Sequence, residues 1–349
     1  DVCSSDLPVR ELTPAHRAQA RGAFLIVASG SSIHVTGGAG FISSHLVDHL
    51  LAKGEAVTVV DDLSTGRRSN LENALEAGDR FVFHEGTVAD VLPSLDPGRF
   101  TSIYHLAAAV GVRLVVEEPI RTIETNVDGT SEVLAFARRS RVPTLVASTS
   151  EVYGKGSGRP MSEDDDVIYG PTIVPRWSYA CSKAIDEYLA LAHHREGLVP
   201  TVVVRFFNTV GPRQAGDYGM VLPRFVEAGL DGADVLVHGD GGQSRCFCDV
   251  RDVVTALPRL LDDVDHHGRV FNLGNDRSLT IAELARMVVD RTGGRSTIRN
   301  IPYEEAFADD FEDLRFRQPD LSRIRTAIGF EPRIPIETTI DDLARELGS

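Results

Sequence analysis

The chain has 349 residues, 42% of them hydrophobic, and a formal net charge of −15 at pH 7. This length supports a substantial core, in one large domain or in one domain with a smaller lobe. The negative charge disfavours a nucleic-acid partner, because it repels phosphate backbones and no basic run offsets it.

Residues 1–30 are predicted to be an artefactual or disordered extension, since the first seven resemble translated adapter sequence. The apolar run at 23–28 is too short for a signal core, and no run of about 18 apolar residues predicts a membrane span. We therefore expect a cytoplasmic protein with no membrane association. The four cysteines are too few for a disulfide framework in a chain of this length and are interpreted as buried thiols.

From Ser32 onward, short β-branched runs alternate with longer amphipathic segments. The predicted strands are 32–36, 56–61, 80–85, 101–106, 143–148 and 200–206, and the predicted helices include 41–53, 120–139 and 179–195. Strands separated by helix-length segments indicate βαβ units. The predicted fold class is α/β: a doubly wound parallel sheet of the Rossmann type over 31–210, followed over 211–349 by a smaller α/β lobe, where glycines and prolines interrupt the pattern.

The sequence HVTGGAGFISSHL at 34–46 follows the first predicted strand and opens the first helix. Gly37 permits a tight turn, and Gly40 allows the backbone to approach a pyrophosphate at the helix N-terminus. Asp61 ends the second predicted strand, where its carboxylate can accept both ribose hydroxyls and would repel a 2′-phosphate. The pattern therefore predicts a dinucleotide site that favours NAD over NADP.

A second group of residues has the spacing of a proton-transfer site. Thr149 follows the fifth predicted strand, at the sheet edge where ligands bind in open α/β folds. Tyr179 and Lys183 lie four residues apart, on one face of a predicted helix. An isolated pair of this kind is more often an ordinary surface pair, so the interpretation depends on the other motifs.

The glycine loop, HLAA at 105–108, NVDGT at 126–130 and the Tyr–Lys pair together resemble the extended short-chain dehydrogenase/reductase family that acts on nucleotide sugars. The resemblance runs from Ile33 to the C-terminus. It implies further NAD contacts from Phe41, Ile42, Val88, Ala107, Ala108, Asn126, Tyr179 and Lys183. Two departures are Ser43, where the family has its third glycine, and Thr87, where relatives usually carry an aspartate that touches adenine.

The resemblance also assigns catalytic roles. Thr149 would hold the C4 hydroxyl of the sugar, and Tyr179 would remove its proton. A phenol is a weak base because its pKa is about 10. Lys183 and the positive nicotinamide would stabilise the tyrosinate and lower that pKa.

The motifs PRWSYACSK at 175–183 and FEDLRFRQPD at 311–320 resemble those of UDP-glucuronate decarboxylases. Glu151 occupies a position where these enzymes carry glutamate, and Arg317 matches their active-site arginine, so both are predicted to be catalytic. Glu151 also has a structural interpretation, as a hydrogen-bond acceptor in a loop. Oxidation at C4 of UDP-glucuronate would give a β-keto acid that loses carbon dioxide without a metal.

Three alternatives remain open. A UDP-glucose or UDP-glucuronate 4-epimerase would use the same residues, with Glu151 and Arg317 only binding substrate. A 4,6-dehydratase is disfavoured, because relatives with that activity carry an Asp–Glu pair where this chain has Ser150 and Glu151. A non-catalytic dinucleotide sensor is suggested by Ser43 and Thr87, but the complete Thr149–Tyr179–Lys183 set argues against it.

The resemblance places substrate-binding residues in the C-terminal part of the chain. They are Asn208, Arg224, Arg245 and Arg317, with the arginines suited to diphosphate because their donors are bidentate. The resemblance also implies a homodimer formed through helices 117–139 and 179–195. No metal site is predicted, since the histidine pairs at 193–194 and 266–267 lack carboxylate partners at ligand spacing and are interpreted as solvent-facing.

Overall fold

The computed structural model describes residues 32–109, 111, 117–156, 158–216, 220–302 and 315–348. The predicted extension at 1–30 lies outside the described residues. The first half contains β1 (Ser32–Thr36), α1 (Phe41–Ala52), β2 (Val57–Asp61), α2 (Glu72–Leu75), β3 (Phe81–Glu85), α3 (Val88–Val91), β4 (Phe100–His105), α4 (Pro119–Arg138), β5 (Thr144–Thr149), α5 (Arg176–Arg195) and β6 (Thr201–Phe206). The six predicted strands and three predicted helices are confirmed to within a few residues.

The second half has shorter elements. They are β7 (Thr209–Val210), α6 (Val221–Asp231), β8 (Val235–His238), β9 (Ser244–Cys246), β10 (Cys248–Asp249), α7 (Val250–Leu261), β11 (Arg269–Leu273), β12 (Ser278–Thr280), α8 (Ile281–Arg291), β13 (Ile298–Ile301), β14 (Phe316–Arg317), α9 (Ser322–Ile328) and α10 (Ile336–Leu347). α8 begins with a reciprocal capping box between Thr280 and Glu283.

Seven strands form the main sheet in the order β11-β6-β5-β4-β1-β2-β3, and every neighbouring pair is parallel. Strands buried on both faces read as nearly continuous apolar runs, as β2 does with its sequence VTVVD. Helices α1 and α7 cover one face of the sheet, and α4 and α5 cover the other. The doubly wound, Rossmann-type α/β fold is confirmed.

A separate apolar cluster forms the core of the smaller lobe. It joins α6, α8 and α10 to strand β8, with Leu222, Leu284 and Leu343 among its buried members. Three small sheets accompany it: β10 with β7, β13 with β8, and β12-β9-β14.

The chain beyond residue 210 does not all belong to this lobe. β11 pairs with β6 at the edge of the main sheet, and α7 and α9 pack on that sheet's core. The sequence pattern did not predict this return, because β11, with the sequence RVFNL, lies in the part of the chain where glycines and prolines interrupt the strand–helix alternation. The solvent-facing assignment of the histidines is wrong for His266, which is buried and contacts the Leu260 carbonyl oxygen.

A buried carboxylate ties α5 to two strands of the main sheet. Glu187 accepts hydrogen bonds from Arg205 of β6, at 2.9 Å from Nε and 2.7 Å from Nη2. It also accepts one from the Ser148 hydroxyl of β5 at 2.5 Å. Ser148 immediately precedes Thr149, and Glu187 lies two turns beyond Tyr179, so this contact fixes the helix over the strand end.

We expect Glu187→Ala to lower the free energy of unfolding by about 3–5 kcal/mol, because it leaves the Arg205 guanidinium buried and without its carboxylate. Urea unfolding followed by circular dichroism measures the change. The control is Asp341→Ala, which removes the acidic partner of an exposed pair with Arg291 and should shift the midpoint far less. Equal shifts in the two variants would contradict the structural role of Glu187.

Candidate functional site

One cavity of about 1480 Å³ runs from the glycine loop across the carboxyl ends of the main-sheet strands to the smaller lobe. Of the predicted site residues, Gly37, Gly40, Phe41, Ile42, Asp61, Val88, Ala107, Ala108, Thr149, Glu151, Tyr179, Lys183, Asn208, Arg224, Arg245 and Arg317 line it. Parallel strands bring their carboxyl ends to one edge, which is why motifs more than 100 residues apart meet here.

The glycine loop makes a close backbone crossing. Gly37 has φ of +70°, and a Cβ there would lie 2.7 Å from the Ala107 backbone. Gly40 is the N-cap of α1 in an extended conformation, and no side chain of the described residues caps that helix. The first N–H groups of α1 therefore point toward the cavity, where a pyrophosphate would be stabilised by them and by the helix dipole.

Asp61 is oriented by two backbone hydrogen bonds. Oδ2 accepts from the Ala39 N–H at 2.9 Å, and Oδ1 accepts from the Leu63 N–H at 2.8 Å. Burial raises the pKa of Asp61, while the two backbone N–H groups partly oppose the rise. Each carboxylate oxygen retains acceptor capacity for a ribose hydroxyl. The glycine loop and this carboxylate fit NAD.

Of the predicted cofactor contacts, Asn126 has structural partners: its Oδ1 accepts from the Ala109 N–H at 2.9 Å and its Nδ2 donates to the Ser182 hydroxyl at 3.1 Å. Contact of Asn126 with NAD stays a prediction. Of the two departures from the family pattern, Ser43 is buried and lines the cavity close to Gly40. Thr87 caps α3 by accepting from the Asp90 N–H.

Thr149, Tyr179 and Lys183 all line the cavity. Thr149 is the last residue of β5, and its hydroxyl accepts from the Glu151 N–H at 3.2 Å. Burial raises the pKa of Tyr179 above its ordinary value, and so does the Glu151 carboxylate, while hydrogen bonding with Thr149 opposes them. The Lys183 ammonium lies 2.7 Å from Oδ2 of the buried Asp186. Without cofactor, Tyr179 is therefore protonated at neutral pH.

Glu151 lies among arginines. Its Oε1 accepts from Arg317 Nη2 at 2.6 Å, and its Oε2 is 3.6 Å from Arg176 Nη2. Burial alone would raise the pKa of Glu151, but the Arg317 and Arg176 guanidinium groups outweigh it and hold that pKa below its usual value, with a smaller contribution from Arg245. Three cations around one carboxylate leave an excess of positive charge, which suits an anionic substrate.

Arg176 and Asp186 were not predicted from the sequence. Arg176 lies three residues before Tyr179 and Asp186 seven residues after it, so both have helical spacing that places them on the Tyr–Lys face. That spacing was the available signal. Arg245 reaches the same cluster from β9, which pairs in parallel with the short strand that carries Arg317.

Comparison with known proteins agrees with this geometry. The family model for the NAD dependent epimerase/dehydratase family matches residues 33–274, and the chain belongs to that family. It is an NAD-dependent enzyme.

Among individual proteins, the chain is 38% identical to a UDP-N-acetyl-alpha-D-glucosaminuronate decarboxylase of Bacillus cytotoxicus, over 87% of this chain and 93% of that protein. It is 34% identical to UDP-glucuronic acid decarboxylase 1 of Danio rerio, over 93% of this chain and 75% of the relative. A crystal structure of UDP-glucuronic acid 4-epimerase from Bacillus cereus, in complex with UDP-glucuronic acid and NAD, matches with a TM-score of 0.80 and 26% identity, over 91% of this chain and 99% of that one.

No helix in the described part of the chain is both long and apolar enough to cross a membrane. Within the same residues, no group of three or more histidine, cysteine or acidic side chains is arranged to hold a metal.

We expect Gly37→Ala to lower NAD affinity at least about tenfold, because the new Cβ would collide with the Ala107 backbone at positive φ. Isothermal titration with NAD measures the change. Gly54→Ala is the matched control: Gly54 also has positive φ, 89°, but a Cβ there meets nothing within 4 Å. Equal NAD affinity in the two variants would contradict the role of the glycine loop in NAD binding.

Proposed function

We propose that this enzyme removes carbon dioxide from a UDP-linked hexuronate through a 4-keto intermediate, with UDP-glucuronate as the first substrate to test. The observation that carries the proposal is the ionised Glu151 among Arg317, Arg176 and Arg245, in the same cavity as Thr149 and Tyr179. A sugar carboxylate and a diphosphate are the anions that such a cluster would attract. The decarboxylase names of the two relatives support this assignment.

In this mechanism the residues of α5 and β5 act on the C4 hydroxyl of the sugar. Thr149 holds the hydroxyl by a hydrogen bond, and Tyr179, after losing its own proton to solvent in the cofactor complex, accepts the sugar's proton as a phenolate. Lys183 supplies positive charge near the phenolate that forms. Bound NAD, held by the glycine loop and Asp61, would accept the C4 hydride and later return it. Tyr179 returns its proton to the C4 oxygen in the last step.

The carbon–carbon bond breaks because the C4 ketone lies β to the carboxylate. As the C5–C6 bond breaks, carbon dioxide leaves and the electron pair moves onto the C4 oxygen as an enolate. A proton added at C5 restores the ketone, so no external oxidant or metal is consumed. The guanidinium groups of Arg317 and Arg176 would hold the substrate anion in place and favour the charge that develops on the enolate.

A 4-epimerase is the second candidate, favoured by the structural similarity to the Bacillus cereus enzyme. Both reactions begin with the same oxidation at C4. They differ afterwards, because the epimerase retains the carboxylate and reduces the ketone from its other face. The product mass therefore distinguishes them.

The test is incubation of the purified chain with NAD and UDP-glucuronate, followed by mass spectrometry of the nucleotide sugars. A parallel incubation with UDP-N-acetylglucosaminuronate follows from the first relative. We expect loss of carbon dioxide from at least one of them. A product of unchanged mass and altered stereochemistry would support the epimerase instead, and unchanged substrate in both incubations would contradict the proposed activity.

We expect Arg317→Ala to lower kcat/KM for decarboxylation on the order of a hundredfold, since it removes a buried guanidinium and leaves Glu151 with a weaker counterion. NAD affinity should change little, because the observed partner of Arg317 is Glu151 rather than the glycine loop or Asp61. Initial-rate kinetics and NAD titration measure the two quantities. Arg315→Ala removes an exposed arginine of the same segment and is the control. Parallel losses of activity and NAD affinity would indicate a folding role for Arg317.

We also propose that the enzyme is a homodimer in the cytoplasm. Helices α4 and α5 pack side by side on one face of the sheet, and each exposes large apolar side chains on its outer surface. These are Ile120, 71% exposed, and Ile123 on α4, and Ile185 and Tyr188, 70% exposed, on α5. Exposed apolar side chains on neighbouring helices suit a four-helix interface.

The proposed location in the cytoplasm is supported by the cysteines. The free thiols of Cys181, Cys246 and Cys248 fit a reducing compartment.

We expect Tyr188→Arg to shift the chain from dimer to monomer, because it puts a charge at the centre of the apolar patch. Light scattering after size-exclusion chromatography measures the mass. Val264→Arg alters an exposed valine outside the patch and should leave a dimer. A monomeric wild-type protein, or a dimeric Tyr188→Arg variant, would contradict the proposed interface.

A further inference from the structure

Asp186 is a buried carboxylate in direct contact with Lys183, the lysine one helical turn from the proposed base Tyr179. Its side chain is fully buried, that of Lys183 is 3% exposed, and Oδ2 lies 2.7 Å from Nζ. Along α5, positions 179, 183 and 186 share one face, so the carboxylate lies on the far side of Lys183 from Tyr179. The observed contact thus gives the Lys183 ammonium a buried anionic partner other than the phenol.

Burial raises the pKa of Asp186, while the Lys183 ammonium and the Thr130 hydroxyl of α4 oppose that rise and favour its charged form. The Thr130 hydroxyl is also 3.0 Å from Nε2 of His105 in β4. Burial, reinforced by the Lys183 ammonium, lowers the pKa of His105 to about 3, so this imidazole is neutral at physiological pH. It cannot replace Lys183 as the counterion of Asp186.

Polar side chains lead from the Lys183–Asp186 pair to Ala107, which lies beside the glycine loop. Beyond Thr130, His105 Nδ1 lies 2.8 Å from the Thr36 hydroxyl, which accepts from the Ala107 N–H at 3.3 Å. Ala107 lines the cavity beside the glycine loop. Side chains from α5, α4, β4 and β1 therefore position the Lys183 ammonium relative to the glycine loop.

We infer that Asp186 is a positioning residue for the proton transfer: it anchors the Lys183 ammonium and opposes the stabilisation that this charge gives to the Tyr179 phenolate. The inference rests on the proposed role of Tyr179 as the base. An ammonium has three donors, so Lys183 can keep its contact with Asp186 and still donate to a bound ligand. Asp186 thereby sets both the direction of those donors and the pH at which the base becomes active.

The sign of the effect follows from the charges around Tyr179. Asp186 and Glu151 are negative and raise the pKa of Tyr179, although burial is the largest cause, and Arg317 lowers it. Glu187, the residue after Asp186, also raises the pKa of Asp186, and it is paired with Arg205 of β6. Burial raises the pKa of Asp186 itself, and Lys183 opposes that rise. Removal of the Asp186 charge should therefore lower the pKa of Tyr179.

The test is Asp186→Asn, which keeps an acceptor oxygen for Lys183 but removes the charge. In the NAD-saturated enzyme, we expect the acidic limb of the pH profile of kcat to move to lower pH by about one unit. Asp186→Glu, which restores the charge, should move it back toward the wild-type position. Glu196→Gln removes a charge from the exposed end of the same helix. It should leave the acidic limb of the kcat profile at its wild-type pH.

A second measurement does not require turnover. The near-ultraviolet absorbance of tyrosinate is titrated in the NAD complex, and the signal of a Tyr179→Phe protein is subtracted. We expect Tyr179 to ionise at lower pH in Asp186→Asn than in wild type. Equal midpoints, or a shift to higher pH, would overturn the inference. If no substrate is turned over but the midpoints differ, the proposed substrate fails and the role of Asp186 stands.

Discussion

The contact of Glu187 with Arg205 and Ser148 is the constraint on which the site depends. It joins the middle of α5 to the ends of β5 and β6 inside the protein, where a carboxylate and a guanidinium are tolerated because each satisfies the other. Thr149 follows Ser148 directly, and Tyr179 is two helical turns from Glu187. The relative position of the Thr149 hydroxyl, which we propose holds the sugar, and the Tyr179 phenol, the proposed base, is therefore set by buried polar contacts.

The two carboxylates that raise the pKa of Tyr179, Glu151 and Asp186, have opposite electrostatic surroundings. Glu151 is surrounded by cations, and its pKa lies below the usual value, so it stays ionised and keeps the arginine cluster together. Asp186 has one cation, Lys183, in a buried environment that raises its pKa. The first arrangement leaves positive charge available to an anionic sugar, and the second limits the positive charge felt by Tyr179. In this proposal, the Glu151–Arg317 pair affects substrate binding, and the Lys183–Asp186 pair affects the pKa of Tyr179.

Much of this was predictable from sequence, for identifiable reasons. The six strands of the first half alternate with helix-length segments, and Gly37, Asp61 and Tyr179 occupy motif positions whose geometry follows from strand–loop–helix order. β11 was not predicted because it lies where glycines and prolines interrupt that alternation, and its place in the sheet is decided by tertiary pairing with β6. The Lys183–Asp186 contact was missed because a rotamer, rather than spacing alone, decides which partner the ammonium takes.

Tyr179 is proposed to take the proton from the C4 hydroxyl of the sugar and to return it in the last step. Tyr179→Phe tests this role most directly, because the change removes one oxygen from a cavity wall and little packing. The account predicts that conversion of the UDP-hexuronate falls by about 10²–10⁴-fold while NAD binds with unchanged affinity, measured by mass spectrometry and titration calorimetry on the same preparation. Wild-type turnover in that variant would contradict it.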